Sequence, residues 1–597
     1  MINGRLRTLP GLLSRAPWWA LALVGLAAAV LGLLLITRPL SSVSVLAVYL
    51  GLSAVAAGAG DLTAERPATR LLGVAWILLG LAVLVWLGRA ITPLPTVLAV
   101  VLVASGLARL ATARAEPTWD ARTATALFGL ADLTFGVLAL AWPDVTLIVV
   151  AVLFGARTLV FGLALLWRAS QAVRSGTRPD DAAAPDRPAP NGPWRRFGRT
   201  LGAVVTVLAA ALALVLSGRL DAASPQVDAF YDAPEDLPDR PGVLLRHEPF
   251  EREVPDGARA WRILYTTTRG EEIAVASGLV VVPDAAPATS AAPAAHPVIA
   301  WAHGTTGFAT QCAPSLLPEP FTAGALPALD EVMAQGWALV ATDYIGLGTE
   351  GPQPYLIGEG EGRSVLDAVR AARELPEASL AAETVVWGHS QGGHAALWTG
   401  QLQPGYAPDV PLAGVAAMAP AADVVAVARN LPSVTGGSVF ASFVAMAYSQ
   451  TYPDVDLDRY VTGSARTLVR EMSARCLSEP GVLVSVLTAL SLDRDRPIFA
   501  QDPTTGPLGE RLSANVPTGP VPAPLLLAQG GADSLITAAD QAGYVTALCA
   551  SGQDVDHRVY PGRDHLGLVA PDSPLIEELV TWTAQRLRGE PAAPGCG

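Results

Sequence analysis

The chain has 597 residues, 51% of them hydrophobic and 16% charged, with a formal net charge of -13. That length exceeds what one hydrophobic core can serve and predicts two or more independent units. Its basic side chains are all arginine and form no basic stripe, which argues against a nucleic acid as partner, because nothing is arranged to neutralise a run of phosphates.

Up to about residue 217 the sequence is a succession of long apolar runs, and beyond it the pattern is that of a water-soluble domain. Seven segments, near 18–36, 44–60, 71–88, 94–112, 124–142, 145–167 and 199–217, reach the roughly 20 residues a helix needs to cross a hydrocarbon core. Arginines gather in alternate loops: Arg5, Arg7 and Arg15, then Arg66 and Arg70, then Arg114 and Arg122, then Arg168, Arg174, Arg178, Arg195, Arg196 and Arg199. The intervening loops carry only Arg38 and Arg89. This asymmetry puts the N-terminus in the cytoplasm, and an odd number of spans puts everything after Gly218 outside. The first span reads as a retained helix rather than a cleaved signal, since six more apolar segments follow it.

Small residues in these spans recur with a fixed spacing. Gly25, Gly32, Gly51 and Gly58, then Gly73, Gly80, Ala99 and Gly106, then Gly129, Gly136, Gly155 and Gly162 all show offsets of 7, 26 and 33 from the first member. Residues seven apart lie on one helix face, and small ones there let helices approach closely in lipid. The pattern predicts an all-α transmembrane bundle of three helical hairpin repeats plus one further span. Over residues 18–167 it resembles the HdeD-like acid-resistance membrane protein family. Asp132 and Arg157 stand out inside these spans, either as a polar path or as charges that find partners or reach the interface; the second reading is favoured. The expected domains are therefore a six-span unit at 1–167, a disordered cytoplasmic linker at 168–198, a seventh helix at 199–217 and an extracytoplasmic domain at 218–597.

In that last domain short β-type runs alternate with helical stretches: Val275–Val282, Pro297–Ala302, Trp337–Asp343, Thr384–Trp387, Leu412–Met418, Pro524–Gln529 and Val555–Tyr560. Several are continuously apolar, as strands buried on both faces are, so an α/β sheet is expected. The Ala/Pro-rich stretch Asp284–Ala295 reads as an exposed hairpin loop.

Gly388-His389-Ser390-Gln391-Gly392 follows the fourth of these runs and precedes a helix-compatible stretch. A Gly-x-Ser-x-Gly in strand-turn-helix context marks Ser390 as a candidate nucleophile on a sharp turn. A serine hydroxyl needs an imidazole to take its proton, and an acid to orient that imidazole. Downstream of Ser390 the histidines are His394, His557 and His565. His394 lies one helical turn on and His557 inside an apparent strand, whereas His565 lies in the turn after that strand, where a general base belongs. Asp533, directly after the strand Pro524–Gln529, is preferred as the acid over Asp502 and Asp540. For the oxyanion, Gln391 offers its backbone N–H and Thr305, in His303-Gly304-Thr305-Thr306-Gly307, a second donor.

His303–Gly307, the segment Ala341–Gly348 and the elbow Gly388–Gly393, with the Asp533 and His565 loops, resemble the secretory lipase family over roughly residues 240–597. The resemblance implies an α/β-hydrolase fold with triacylglycerol lipase or broad carboxylesterase activity. It also implies a helical cap between nucleophile and acid, for which Ala421–Asn515 is the fitting insertion. The four cysteines all lie in the half placed outside, and an even count there suits disulfides. Spacing alone leaves three pairings open; the resemblance favours Cys312 with Cys476 and Cys549 with Cys596. No metal or cofactor is required. The expected partners are a lipid or small ester and the bilayer of the cell membrane. The expectation is thus a membrane-anchored serine hydrolase, with acyl transfer to a cell-envelope alcohol as the chemical alternative. A stress-response or transport protein with the hydrolase domain as scaffold is the alternative from another class.

Overall fold

The computed structural model describes residues 17–38, scattered positions from 41 to 62, and 67–85, 93–175, 193–284, 295–493, 498–592 and 595–596. The chain divides into two compact units: Met1–Asp221 with Thr462–Leu468 and Leu487–Ile498, and Ala222–Val461 with Val469–Val486 and Phe499–Gly597.

The first unit is built from α1 (Trp18–Thr37), α2 (Pro67–Val85), α3 (Leu94–Thr112), α4 (Trp119–Ala141), α5 (Pro143–Ser175) and α6 (Pro193–Ala222). Among the described residues, five helices are long and apolar enough to cross a membrane: Trp18–Thr37, Leu94–Ala115, Trp119–Ala141, Pro143–Arg174 and Arg196–Ala222. About half of the second expected span, and Arg5, Arg7, Arg15, Arg66, Arg89 and Arg178, lie outside the described residues. Only the middle of the expected linker 168–198 lies outside them; its ends are helical, because α5 runs on to Ser175 and α6 begins at Pro193. Nothing in Trp167-Arg168-Ala169-Ser170-Gln171 breaks a helix, so α5 continues past the end of the apolar run.

The small residues do what their spacing predicts, and they do it between repeats. A Cβ on Gly32 of α1 would stand 2.3 Å from the Leu159 nitrogen of α5, and one on Gly106 of α3 2.7 Å from the Gly129 oxygen of α4. The close contacts thus join the last helix of one repeat to the first of the next, and α5 to α1. Asp132 finds a partner, though not Arg157: its carboxylate lies 3.0 Å from Arg109 Nε and accepts from Ser105 Oγ at 3.1 Å.

The second unit carries a nine-stranded sheet: β1 (Leu244–Phe250), β2 (Ala258–Arg269), β3 (Glu272–Pro283), β4 (His296–Ala302), β5 (Ala338–Thr342), β6 (Leu380–His389), β7 (Leu412–Met418), β8 (Leu525–Gly530) and β9 (Asp556–Tyr560). Their order is β1-β2-β3-β5-β4-β6-β7-β8-β9, antiparallel from β1 through β3 to β5 and parallel from β5 across to β9. β3 and β4 are not neighbours, so Asp284–Ala295 joins a crossover and not the expected hairpin; residues 285–294 themselves lie outside the described set. The helices α7 (Gly358–Arg373), α8 (Gln391–Tyr406) and, further along the chain, Ala538–Ala550 bury apolar faces on one side of the sheet, and Pro574–Leu587 on the other. Val298, Val340, Val386 and Val415 pack on the first side, and Ile299, Leu339, Val385 and Ala416 on the second, as the period of two along each strand requires.

Between β7 and β8 the chain forms α9 (Val424–Asn430), α10 (Gly437–Thr451), α11 (Arg466–Ser473), α12 (Val482–Asp493) and α13 (Gly506–Ala514). Cys312 is bonded to Cys476 and Cys549 to Cys596. Leu477 N–H donates to Thr306 O at 2.8 Å, so the first disulfide reinforces a contact between this helical insertion and the loop after β4.

Candidate active site

Every expected site residue lies beyond the carboxyl end of a parallel strand, where an open α/β sheet presents its loops. Ser390 follows β6 and precedes α8 with φ 59° and ψ -116°, a left-handed conformation for a residue with a side chain. Such strain persists only where the surroundings enforce it. Here they do: a Cβ on Gly388 would lie 1.9 Å from Gly392 O, and one on Gly392 1.9 Å from Ala302 O. The turn is therefore closed to bulk on both flanks and lifts the Ser390 side chain off the sheet.

The structure brings Ser390, His565 and Asp533 together. His565 Nε2 is 2.8 Å from Ser390 Oγ, and His565 Nδ1 is 2.7 Å from Asp533 Oδ2. The Asp533 side chain is fully buried; its other oxygen accepts from the backbone N–H groups of Leu535 and Ile536, both at 2.9 Å. With Oδ1 taken by two backbone donors, Oδ2 accepts from Nδ1–H of His565, and Nε2 presents its lone pair to the serine hydroxyl. Of the rival residues, His557 lies in β9, where burial lowers its pKa. Asp502 caps its own turn through Thr504, and Asp540 accepts from Thr537.

His389 adds a constraint that the motif alone does not display. Its Nε2–H donates to His565 O at 3.0 Å, and the two rings lie 4.8 Å apart. Burial, then the neighbouring His565 ring, push the His389 pKa down to about 3. A neutral ring thus braces the base without competing with it for charge.

Gln391 opens α8, where the first N–H groups of a helix have no partner within it. Thr305 sits in the loop after β4, and its hydroxyl lies 3.1 Å from Tyr355 OH. That loop is held from beneath: Tyr344 OH donates to His303 O at 3.1 Å, and Gly304 N–H donates to Gly324 O at 2.9 Å. His303 is buried, which lowers its pKa to about 4. Asp343, part of the segment Ala341–Gly348, is a structural post: its buried carboxylate accepts from Ser277 Oγ at 2.6 Å and Ser315 N at 2.9 Å. Burial raises its pKa. Phe308, Tyr355, Phe440 and Phe443 form a chain of ring contacts from this loop onto α10. Among the described residues no cluster of His, Cys, Asp and Glu is arranged to hold a metal ion.

Sequence reasoning missed Glu361. It lies in the first turn of α7 with its side chain wholly buried, 2.7 Å from His394 Nδ1. Its surroundings in sequence, Gly358-Glu359-Gly360-Glu361-Gly362-Arg363, are those of a solvated helix start, so no signal short of the fold marks it.

Sheet order and the strand-turn-helix elbow at Ser390 are those of an α/β-hydrolase fold. Residues 325–595 match the family model described as secretory lipase, while residues 23–67, 71–138 and 127–179 match a short repeat of unknown function, DUF308. Among curated proteins the chain is similar to lipase A of Moesziomyces aphidis, 25% identical over 404 residues, covering 62% of this chain and 83% of the relative. It is likewise similar to a probable inactive lipase of Mycobacterium tuberculosis, 26% identical over 391 residues with coverage of 62% and 83%. The solved structure of Candida antarctica lipase A in its closed state shares the fold, with a TM-score of 0.50 and 20% identity over 62% of this chain and 89% of that one.

Proposed function

We propose that this protein is a membrane-anchored serine hydrolase that cleaves carboxylic esters through an acyl-enzyme on Ser390. One relative is itself named a probable inactive lipase, so the reading rests on the site and not on likeness. The observation that carries it is the unbroken hydrogen-bonded chain from Asp533 through His565 to Ser390, at 2.7 and 2.8 Å. In this mechanism Ser390 Oγ attacks the ester carbonyl while His565 Nε2 takes its proton. The carbonyl oxygen becomes an oxyanion, to which the backbone N–H groups of Gln391 and Thr305 donate. His565 then passes the proton to the departing alcohol, leaving an acyl-serine. Water, deprotonated by the same imidazole, resolves that ester to the carboxylic acid and free Ser390. Asp533 stays ionised throughout and stabilises the imidazolium of both steps.

The proposed division is a six-span unit at 1–167, a connection at 168–198, a seventh span at 199–217 and the hydrolase at 218–597 with its cap near 421–515. The arginine distribution supports a cytoplasmic N-terminus with the hydrolase outside, and two disulfides in the latter half suit that oxidising side. The aromatic chain from Phe308 to Phe440 favours an acyl chain or another apolar group as substrate.

The test uses the full chain in detergent micelles and a p-nitrophenyl ester series of increasing acyl length. Turnover and covalent labelling by an alkyl fluorophosphonate are expected in the native protein. Ser390→Ala is expected to lose labelling entirely and turnover by on the order of 10³-fold or more. Equal turnover in the variant would place the chemistry elsewhere.

A further inference from the structure

A second imidazole–carboxylate pair lies under the elbow, and nothing in the mechanism above uses it. Glu361 and His394 both have fully buried side chains. Glu361 Oε1 accepts from Gln391 Nε2 at 2.8 Å and from Leu356 N at 3.0 Å, and Oε2 faces His394 Nδ1. His394 Nε2 in turn faces the carbonyl oxygen of Asn515 at 2.8 Å. Asn515 follows α13 at the point where the helical insertion returns to the sheet; its Oδ1 accepts from Gly358 N at 3.0 Å and its Nδ2 donates to Tyr452 OH at 3.0 Å. One carboxylate therefore joins three elements: the first turn of α7, the first turn of α8 and the root of the insertion.

Resting on the reading of Ser390 as nucleophile, we infer that Glu361 is a positioning residue: by gripping the Gln391 side chain it aims the Gln391 backbone N–H at the developing oxyanion. Gln391 directly follows the strained Ser390, is buried with 1% of its surface exposed, and donates from its amide nitrogen to Glu361 Oε1 at 2.8 Å. A donor to an oxyanion acts through its preset direction, so rotation of the 390–391 peptide costs rate even when the fold survives. The grip is a hydrogen bond between side chains and leaves the backbone N–H free for the reaction.

The His394 geometry defines which substitution conserves the grip. His394 Nδ1 faces Glu361 Oε2, and its Nε2 lies near both the Asn515 carbonyl oxygen and, at 3.1 Å, the Trp398 Nε1–H. A glutamine at 361 keeps these contacts: its carbonyl accepts from Gln391 and Leu356, and its NH₂ donates to His394 Nδ1, leaving Nε2–H for Asn515.

The experiment compares full-length Gln391→Met and Glu361→Gln in detergent, each checked for native unfolding temperature. Gln391→Met keeps the length and the backbone N–H but loses the contact. It is expected to lower kcat about 10-fold with KM unchanged. It is also expected to weaken by a similar factor the inhibition by an alkylboronic acid, whose tetrahedral serine adduct requires the oxyanion donors. Glu361→Gln is expected to stay within about threefold of the native kcat. A Gln391→Met variant with native kcat and native boronate affinity overturns the inference, as does a loss confined to KM or one matched by a fall in unfolding temperature. Failure of the serine reading itself shows separately, as undiminished turnover in Ser390→Ala.

Discussion

His565 with Asp533 and His394 with Glu361 are two imidazole–carboxylate pairs, each 2.7 Å between nitrogen and oxygen. They differ in what lies on the far side of the ring. His565 presents Nε2 to a hydroxyl and keeps 16% of its side chain exposed, so a proton taken from Ser390 has somewhere to go. His394 is fully buried, with Nδ1 on Glu361 and Nε2 beside the Asn515 carbonyl and the Trp398 indole N–H, and no hydroxyl nucleophile faces it in these contacts. The contact distance thus says nothing about catalysis; the identity of the second partner and access to solvent do. In the proposed mechanism one pair is a base with its orienter, while the other links α7, α8 and the end of the insertion under the elbow.

The comparison is sharpest under the same chemical change at both carboxylates. Asp533→Asn places an amide where the carboxylate must accept from Nδ1–H; the amide favours the wrong tautomer and cannot stabilise the imidazolium. Turnover of p-nitrophenyl esters is expected to fall on the order of 10³-fold or more. Glu361→Gln keeps an acceptor for Gln391 and a donor for His394 Nδ1, so most of its turnover is expected to be retained. If the two amides cost the same, the distinction between base and fastening is lost.

The opposite ranking is expected for stability. His394→Leu leaves the buried Glu361 Oε2 facing an apolar side chain, and leaving a buried polar group without its partner costs about 1–3 kcal/mol. His565→Leu leaves Asp533 with its backbone donors at Leu535 and Ile536, so the expected cost is about 1 kcal/mol or less. Urea unfolding of the two full-length variants, followed by tryptophan fluorescence, ranks them directly. Equal midpoints would remove the structural role given to His394.

Sequence alone exposed one of these pairs and hid the other, for a physical reason. Ser390, Asp533 and His565 each follow an apolar strand, and a sheet's periodicity makes strand ends readable. Glu361 reads as a solvated helix start beside Glu359, which is indeed exposed and paired with Arg363. Only the packing of α7 against α8 tells the two glutamates apart. The same limit explains the two strands that were not expected, β1 and β2. These are the antiparallel strands at one edge, and Arg259, Arg262 and Thr266–Thr268 interrupt the apolar run that marks a central strand. In the apolar half the glycine spacing announced close helix contacts, but not that they run between repeats or that Asp132 meets Arg109, because a period along the chain carries no information on which neighbour a face will meet.

A third histidine sharpens the comparison at the smallest scale. His389 is buried against the His565 backbone and, unlike His394, faces no carboxylate in the contacts it makes. In the unfolded chain it takes up a proton near its ordinary value of 6.5, whereas in the fold it does so near 3. Between those values the unfolded state binds the extra proton, so stability falls as pH falls, by at most about 1.4 kcal/mol per pH unit for one such group. His303, lowered to about 4, acts in the same direction. Asp343, raised by burial, acts in the other, since its folded form binds a proton more readily than the unfolded one. Urea midpoints measured between pH 7 and pH 5 should therefore decline in the native protein and decline less in His389→Asn, which keeps a donor for the His565 carbonyl and has no proton to gain. An unchanged slope in the variant would mean that His389 does not resist protonation in the fold, and the neutral brace assigned to it beside the base would have to be abandoned.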